Sequence, residues 1–338
     1  MSKRYLVLAE RYSGDPHYGK TARGLLRYRG EQVVAVLDST RAGENQDGKP
    51  IVATVDEALA FEPDTAVVGV ATQGGRFPPE WRELLKRCIE EGLDLESGLH
   101  EFLSDDPELS QLAARHGVEL RDLRKPPPDL SVPTGENLRI PARIVHTVGS
   151  ECAIGKKTVA LELDLEARRQ GIRSQFVPTG QTGVLIAGWG LAVDAVVADF
   201  LAGAAERLVL EGWQRGGEEL LVVEGQGALV HPAYSGVTLG LLHGCAPHSL
   251  VLCHLAGQTS VEGYPEHPIP PLPALVELYE RASLPARPAK VEAIALNTRD
   301  LGDDEARDAI AAVAAETGLP TDDPVRFGAA TLLAAVRG

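Results

Sequence analysis

The chain has little positive charge, no paired cysteines at a metal or redox spacing, and no long apolar run. Its four cysteines, Cys88, Cys152, Cys245 and Cys253, include no Cys-x-x-Cys, which excludes the common zinc and dithiol motifs. Lys and Arg number 33 against 48 Asp and Glu, a formal net charge of -15. A general nucleic-acid binder needs the opposite balance, because a basic surface must neutralise phosphate. A small anion in a local basic pocket is still compatible with that charge. No apolar stretch is long enough to span a bilayer, and Met1-Ser2-Lys3-Arg4 does not open a signal peptide. A cytoplasmic protein with free thiols is expected. The first predicted strand is followed by Leu8-Ala9-Glu10-Arg11-Tyr12-Ser13-Gly14, without a Gly-x-Gly-x-x-Gly fingerprint. That argues against NAD, although Asp38 ends the second strand where a dinucleotide-binding acid would meet ribose.

At 338 residues and 44% hydrophobic, the chain can build two domains with substantial cores. Short apolar runs at residues 5–9, 33–37 and 66–70 alternate with helical patterns at 18–28, 55–60, 79–91 and 109–116. This alternation predicts a parallel sheet covered on both faces. Pro126-Pro127-Pro128 cannot continue a helix and marks a link near residues 122–140. Strands are predicted again at 144–148, 173–177, 219–223, 250–254 and 291–297, with helices at 156–170, 202–217 and 305–317. The expected division is residues 1–125 and 126–338, each an α/β domain of three layers.

The most informative stretch is Gly149-Ser150-Glu151-Cys152-Ala153-Ile154-Gly155-Lys156-Lys157-Thr158, which follows the first strand of the second half. A strand, a Gly-bearing loop and a helix start can converge backbone N–H groups on phosphate oxygens. Lys156 would add a point charge, and a hydroxyl normally follows it to hold magnesium. Here Lys157 takes that position, leaving Thr158 one place later as the metal candidate. Five residues separate Gly149 and Gly155, against the usual four. Glu224, at the end of an apolar run, would face the ligand crevice as catalytic group or magnesium ligand. Thr179, Gln181 and Thr182 offer a substrate grip in Thr179-Gly180-Gln181-Thr182-Gly183. His231, Tyr234 and Ser235 are candidates for an acceptor pocket. Asp199 could reach metal or a substrate amine, or cap a helix. Asn297 could read an adenine edge, or end its strand as a turn residue.

The loop resembles that of the domain of unknown function 1611 family. Thr179 to Gly183, Asp199-Phe200, Glu224-Gly225-Gln226-Gly227 and His231-Pro232 through Gly244 extend the match. In the front half Gly98-Leu99-His100-Glu101-Phe102-Leu103, Asp105-Asp106-Pro107-Glu108 and Arg124-Lys125-Pro126-Pro127 do the same. The resemblance implies a Rossmann-like N-terminal domain joined to a P-loop domain similar to dethiobiotin synthetase, whose five-residue loop spacing it shares. It also implies that Lys156 binds phosphate and that Glu224 lies near the metal. Some members of the family are linked to N-acylation of D-glutamate.

Three functions follow as expectations. The leading one is an ATP- and Mg2+-dependent ligase that activates a small carboxylate or amino acid as an acyl phosphate, with Lys156, Glu224 and Asp199 catalytic. The alternative is an acyltransferase using acyl-CoA and an acidic amino acid, with Glu224 or His231 as base. The third is a nucleotide-controlled regulatory protein without turnover. The partners expected are small molecules, not nucleic acid or membrane, and a homo-oligomer is compatible with the composition.

Overall fold

The computed structural model describes residues 3–15 and 18–337, so Met1 and Ser2 of the opening segment lie outside it. The chain forms two compact units, Met1–Pro126 with Val184–Ala195 and Pro127–Gly183 with Val196–Gly338. A linear division at 125/126 does not anticipate the excursion of residues 184–195. It has a physical basis inside the first unit. Val184 and Leu185 are buried in that unit's core, Arg29 Nε donates to the Ile186 carbonyl at 2.5 Å, and Arg124 pairs with Asp194.

The first unit's strands are β1 (Tyr5–Leu8), β2 (Val33–Leu37), β3 (Asn45–Gln46), β4 (Lys49–Val52), β5 (Thr65–Val68), β6 (Asp94–Ser97) and β7 (Leu120–Asp122). They lie in the order β3-β4-β2-β1-β5-β6-β7, parallel except for the β3–β4 hairpin. Helices α1 (Lys20–Arg29), α2 (Val55–Ala58), α3 (Trp81–Glu90) and α4 (Pro107–His116) lie between strands along the chain. Every residue of β1 and β5 is buried, as a doubly covered parallel sheet requires. The Asp106 carboxylate caps α4 through the amides of Glu108 and Leu109, and Gly117 closes it at φ 68.

Four strands of this unit, β3, β4, β6 and β7, had no sequence signal. β6 and β7 are too polar, yet Glu96 is buried within β6 because Lys3 (2.5 Å) and Arg121 (3.0 Å) neutralise it. The β3–β4 turn is Asp47-Gly48, both at positive φ (50 and 81), the backbone of a type I′ hairpin.

Asp38 is placed differently from the ribose reading. Its Oδ1 accepts from the Arg11 and Thr40 amides and the Thr40 hydroxyl, and its Oδ2 from the amide and hydroxyl of Ser13. Burial alone would raise this carboxyl, but the hydroxyls and amides outweigh it and hold it below the usual carboxylate range. With five donors on two oxygens, Asp38 is an anchor for the loop after β1.

In the second unit, strands β8 (Arg143–Gly149), β9 (Ser174–Val177), β10 (Leu220–Val223), β11 (Ser249–Leu255), β14 (Lys290–Asn297) and β15 (Thr321–Asp322) form a parallel sheet. Its order is β15-β14-β11-β8-β10-β9. Strands β12 (Ser260–Val261) and β13 (Tyr264–Pro268) make a separate antiparallel hairpin. The helices are α5 (Lys156–Arg169), α6 (Gln181–Ala187, which belongs to the first unit from Val184 on), α7 (Ala198–Gln214), α8 (Ser235–Cys245), α9 (Leu272–Ser283), α10 (Asp303–Thr317) and α11 (Ala330–Arg337). The chain leaves β8 toward β9 and leaves β11 toward β14, in opposite directions across the sheet. The C-terminal ends of β8 and β11 therefore form the switch point where α/β proteins bind ligands. No helix among the described residues is long and apolar enough to cross a membrane.

Helix α8 begins at Ser235, inside the stretch expected to line an acceptor pocket. Its glycines lower helix propensity but permit close packing on α7. A Cβ at Gly244 would strike the Ala202 carbonyl, and one at Gly240 the Leu201 side chain.

Burial pushes His146 of β8 down to about 4, and burial with Arg287 and Arg143 does the same to His248. Unfolding restores both toward their ordinary value of 6.5. The unfolded chain then binds more protons between those values, so stability is lost as pH falls through that window. The free energy of unfolding should drop between pH 6.5 and 4, and His146→Leu should flatten the drop by about 1–3 kcal/mol. An identical pH profile for the variant would contradict the assignment.

Candidate functional site

β8 runs into the loop of residues 149–155, and α5 starts at Lys156. Side chains from three distant elements fix the loop. The Tyr279 hydroxyl of α9, fully buried, donates to the Gly149 carbonyl at 2.6 Å and accepts from the Leu229 amide at 3.1 Å. The Ser150 hydroxyl meets His254 Nδ1 at 2.8 Å, and its amide donates to the Cys253 carbonyl at 3.0 Å. The Asn297 amide nitrogen donates to the Ile154 carbonyl at 2.8 Å, and its Oδ1 accepts from the Arg299 amide. Asn297 thus braces the loop rather than presenting a free amide to a base. Gly155 sits at φ 116, a left-handed backbone that favours glycine, and Ala153 at φ 53 is a rarer case.

Lys156 is buried, and its Nζ donates to the Glu151 carbonyl at 2.5 Å. Burial pushes this ammonium below its ordinary pKa, while nearby acidic groups, Glu151 and Glu224 among them, act the other way. Lys157 and Thr158 are half-buried at the start of α5.

Glu224 follows β10 and is buried. Its Oε2 accepts from the amides of Thr179 (2.9 Å) and Gly180 (3.1 Å), and the Thr179 hydroxyl donates to its carbonyl. The Gln226 amide in turn holds the Thr179 carbonyl at 2.6 Å. A Cβ at Gly183 would collide with Glu224 Oε2, so only glycine lets α6 pass this close. Burial raises the Glu224 pKa, opposed first by the Thr179 amide and then by Lys157. In the same turn, Gln181 and Thr182 are buried, and Gln181 Oε1 lacks a hydrogen-bond partner.

Residues 131–333 match the model of the DUF1611 P-loop domain, and residues 33–126 match that of the DUF1611 Rossmann-like N-terminal domain, both described as of unknown function. The chain belongs to the DUF1611 family. A crystal structure of a DUF1611 family protein from Anabaena variabilis, 42% identical, matches with a TM-score of 0.93 over 99% of both chains. A curated relative from Tritonibacter scottomollicae, named D-glutamate N-acetyltransferase, is 37% identical over 94% of this chain and 93% of its own. One of the same name from a Pseudoalteromonas species is 33% identical over 93% of each.

The sequence of this DUF1611 protein did not reveal a second cluster at the loop. Glu151, Cys152 and His231 bring one carboxylate oxygen, the sulfur and one ring nitrogen within 4.8 Å of one another. Glu151 Oε1 accepts from the Cys152 amide at 2.5 Å, and its Oε2 from the Glu262 amide at the β12–β13 turn at 2.8 Å. His231 Nδ1 accepts from the Ala233 amide at 3.1 Å. That bond assigns the ring proton to Nε2, which faces Glu151 Oε1 at 3.6 Å. With its proton on Nε2, His231 offers a donor and no lone pair on the side that faces Glu151. This does not suit the base role considered for His231. Tyr234 is 54% exposed, with its ring 4.6 Å from that of His231, and Ser235 opens α8.

Asp199 stands apart from this cluster. It is exposed in the first turn of α7, and none of the described hydrogen bonds joins it to a site residue.

The Tyr279 clamp is testable. Tyr279→Phe strands the Leu229 amide and the Gly149 carbonyl and should lower stability by about 1–3 kcal/mol in urea denaturation. An unchanged midpoint would show that the hydroxyl does not brace the loop.

Proposed function

We propose that the protein is an N-acyltransferase that moves an acyl group, acetyl in the first instance, from acyl-CoA to the amino group of D-glutamate. The observation that carries this reading is the pair of relatives bearing that name, aligned over more than nine-tenths of each chain. The chemistry of the site supports it. Acyl transfer to an amine needs a base for the ammonium and donors for the charge that grows on the thioester oxygen. Glu224 is a desolvated carboxylate with a raised pKa, which brings a carboxylate base closer to neutral pH. Its Oε1 takes part in none of the described hydrogen bonds.

Glu224 takes a proton from the acceptor's ammonium, and the freed amine attacks the thioester carbonyl. The C–N bond forms, the C–S bond breaks, and the departing CoA thiolate takes up the second proton that the nitrogen sheds as it becomes the amide. No nucleotide is cleaved.

The ligase reading has less support. A magnesium ion at a P-loop is normally held by a hydroxyl directly after the loop lysine. Here that position carries the ammonium of Lys157, whose charge bears on Glu224, the other expected ligand. This pair of groups does not fit that metal arrangement.

Acetyl-CoA and D-glutamate together should release free CoA thiol without added ATP, and neither alone should do so. Glu224→Gln keeps an acceptor for the Thr179 and Gly180 amides but removes the base, so kcat should fall by roughly 100-fold or more. ADP release that depends on the amino acid, with no thiol release, would favour the ligase instead.

A further inference from the structure

The acyl-transfer reading leaves a choice about which anion the loop holds, and the geometry of the substrates decides it. A base must lie beside the nitrogen it deprotonates. In an α-amino acid the carboxylate is one carbon from that nitrogen. In acyl-CoA the phosphates are separated from the thioester by the whole pantetheine arm. The Lys156 stem runs within 3.2 Å of where a Gly225 Cβ would stand, and Gly225 is the residue next to Glu224. The charges of Lys156 and Lys157 both bear on the Glu224 carboxyl. An anion on Lys156 is therefore close to any amine that Glu224 serves, as the acceptor's own carboxylate would be and a CoA phosphate would not.

We propose that the loop is the binding site for the acceptor amino acid. Lys156 and the loop amides take its α-carboxylate, and Glu224 with Gln181 Oε1 takes its ammonium. Two features point to such a ligand. The Lys156 ammonium carries three donors, and its one described hydrogen bond is to a carbonyl. Gln181 is 6% exposed, yet its Oε1 has no partner, although buried acceptors are normally paired. Gln181 lies between Gly180 and Gly183, both of which approach Glu224. A cation on the loop and an unpartnered acceptor in the turn that holds Glu224 are the two poles a zwitterion needs. The phosphates of the acyl donor then bind away from the loop.

The test is calorimetric titration of D-glutamate without acyl donor, together with the KM for acetyl-CoA. Lys156→Gln should weaken D-glutamate binding roughly tenfold to hundredfold, the effect of losing a hydrogen bond to a charged group. It should leave the acetyl-CoA KM within about twofold of wild type. Gln181→Leu should weaken D-glutamate binding and spare acetyl-CoA. Should either variant fold poorly, wild-type protein still decides: glutarate, lacking the amine, and 4-aminobutyrate, lacking the α-carboxylate, should each bind more weakly than D-glutamate. Lys156→Gln losing acetyl-CoA but keeping D-glutamate would overturn the proposal, as would glutarate binding as tightly as D-glutamate. Acyl transfer that persists alongside either result would leave the acyl-transfer reading intact. D-glutamate bound through these residues, without any thiol release from acetyl-CoA, would overturn that reading alone.

Discussion

A buried ammonium and a buried carboxylate, each held by backbone rather than by the other, are the constraint on which the second unit's site depends. Lys156 donates to a carbonyl of its own loop, and Glu224 accepts two amides from the turn after β9. Burial pushes both toward their neutral forms. Charges kept in that condition are costly to the fold unless a ligand or reaction uses them, which is why perturbed groups gather at functional sites. The sheet supplies the arrangement. β8 and β10 are neighbours in register, so the loop after one and the acid after the other emerge at the same edge. Tyr279, His254 and Asn297 then hold the loop from α9, β11 and β14. The loop is shaped before any ligand arrives, and little ordering remains to oppose binding.

The first unit shows the opposite use of a strand-end acid. Asp38 occupies the place where Rossmann-type proteins meet a ribose, but five donors saturate it and its pKa is held down. A strand-end carboxylate is thus an anchor in one unit and, in the proposed function, a base in the other. The difference lies in partners: Asp38 has every lone pair engaged, whereas Glu224 keeps Oε1 out of the described hydrogen bonds.

Where burial produces a periodic or continuous apolar run, the sequence was readable. β2, the strand leading to the loop, and α4 with its Gly117 cap all follow from such patterns. β6 did not, because a polar strand is stable there only through Lys3 and Arg121 on Glu96. α8 did not, because close packing against α7 overrides the poor helix propensity of its glycines. At the site, the loop and Glu224 could be found from local motifs. The Tyr279 clamp, 130 residues from Gly149, and the Glu151–His231 approach join residues that no local pattern connects. Asn297 was visible as a strand-end amide, but its direction, toward the Ile154 carbonyl, was not.

The most direct measurement is a crystal structure of the protein with D-glutamate and CoA bound together. The account predicts the amino acid's α-carboxylate on the loop beside Lys156, its amine at Glu224 Oε1, and the CoA phosphates elsewhere. A CoA phosphate seated on the amides of residues 149–155, with the amino acid far from Glu224, would contradict it.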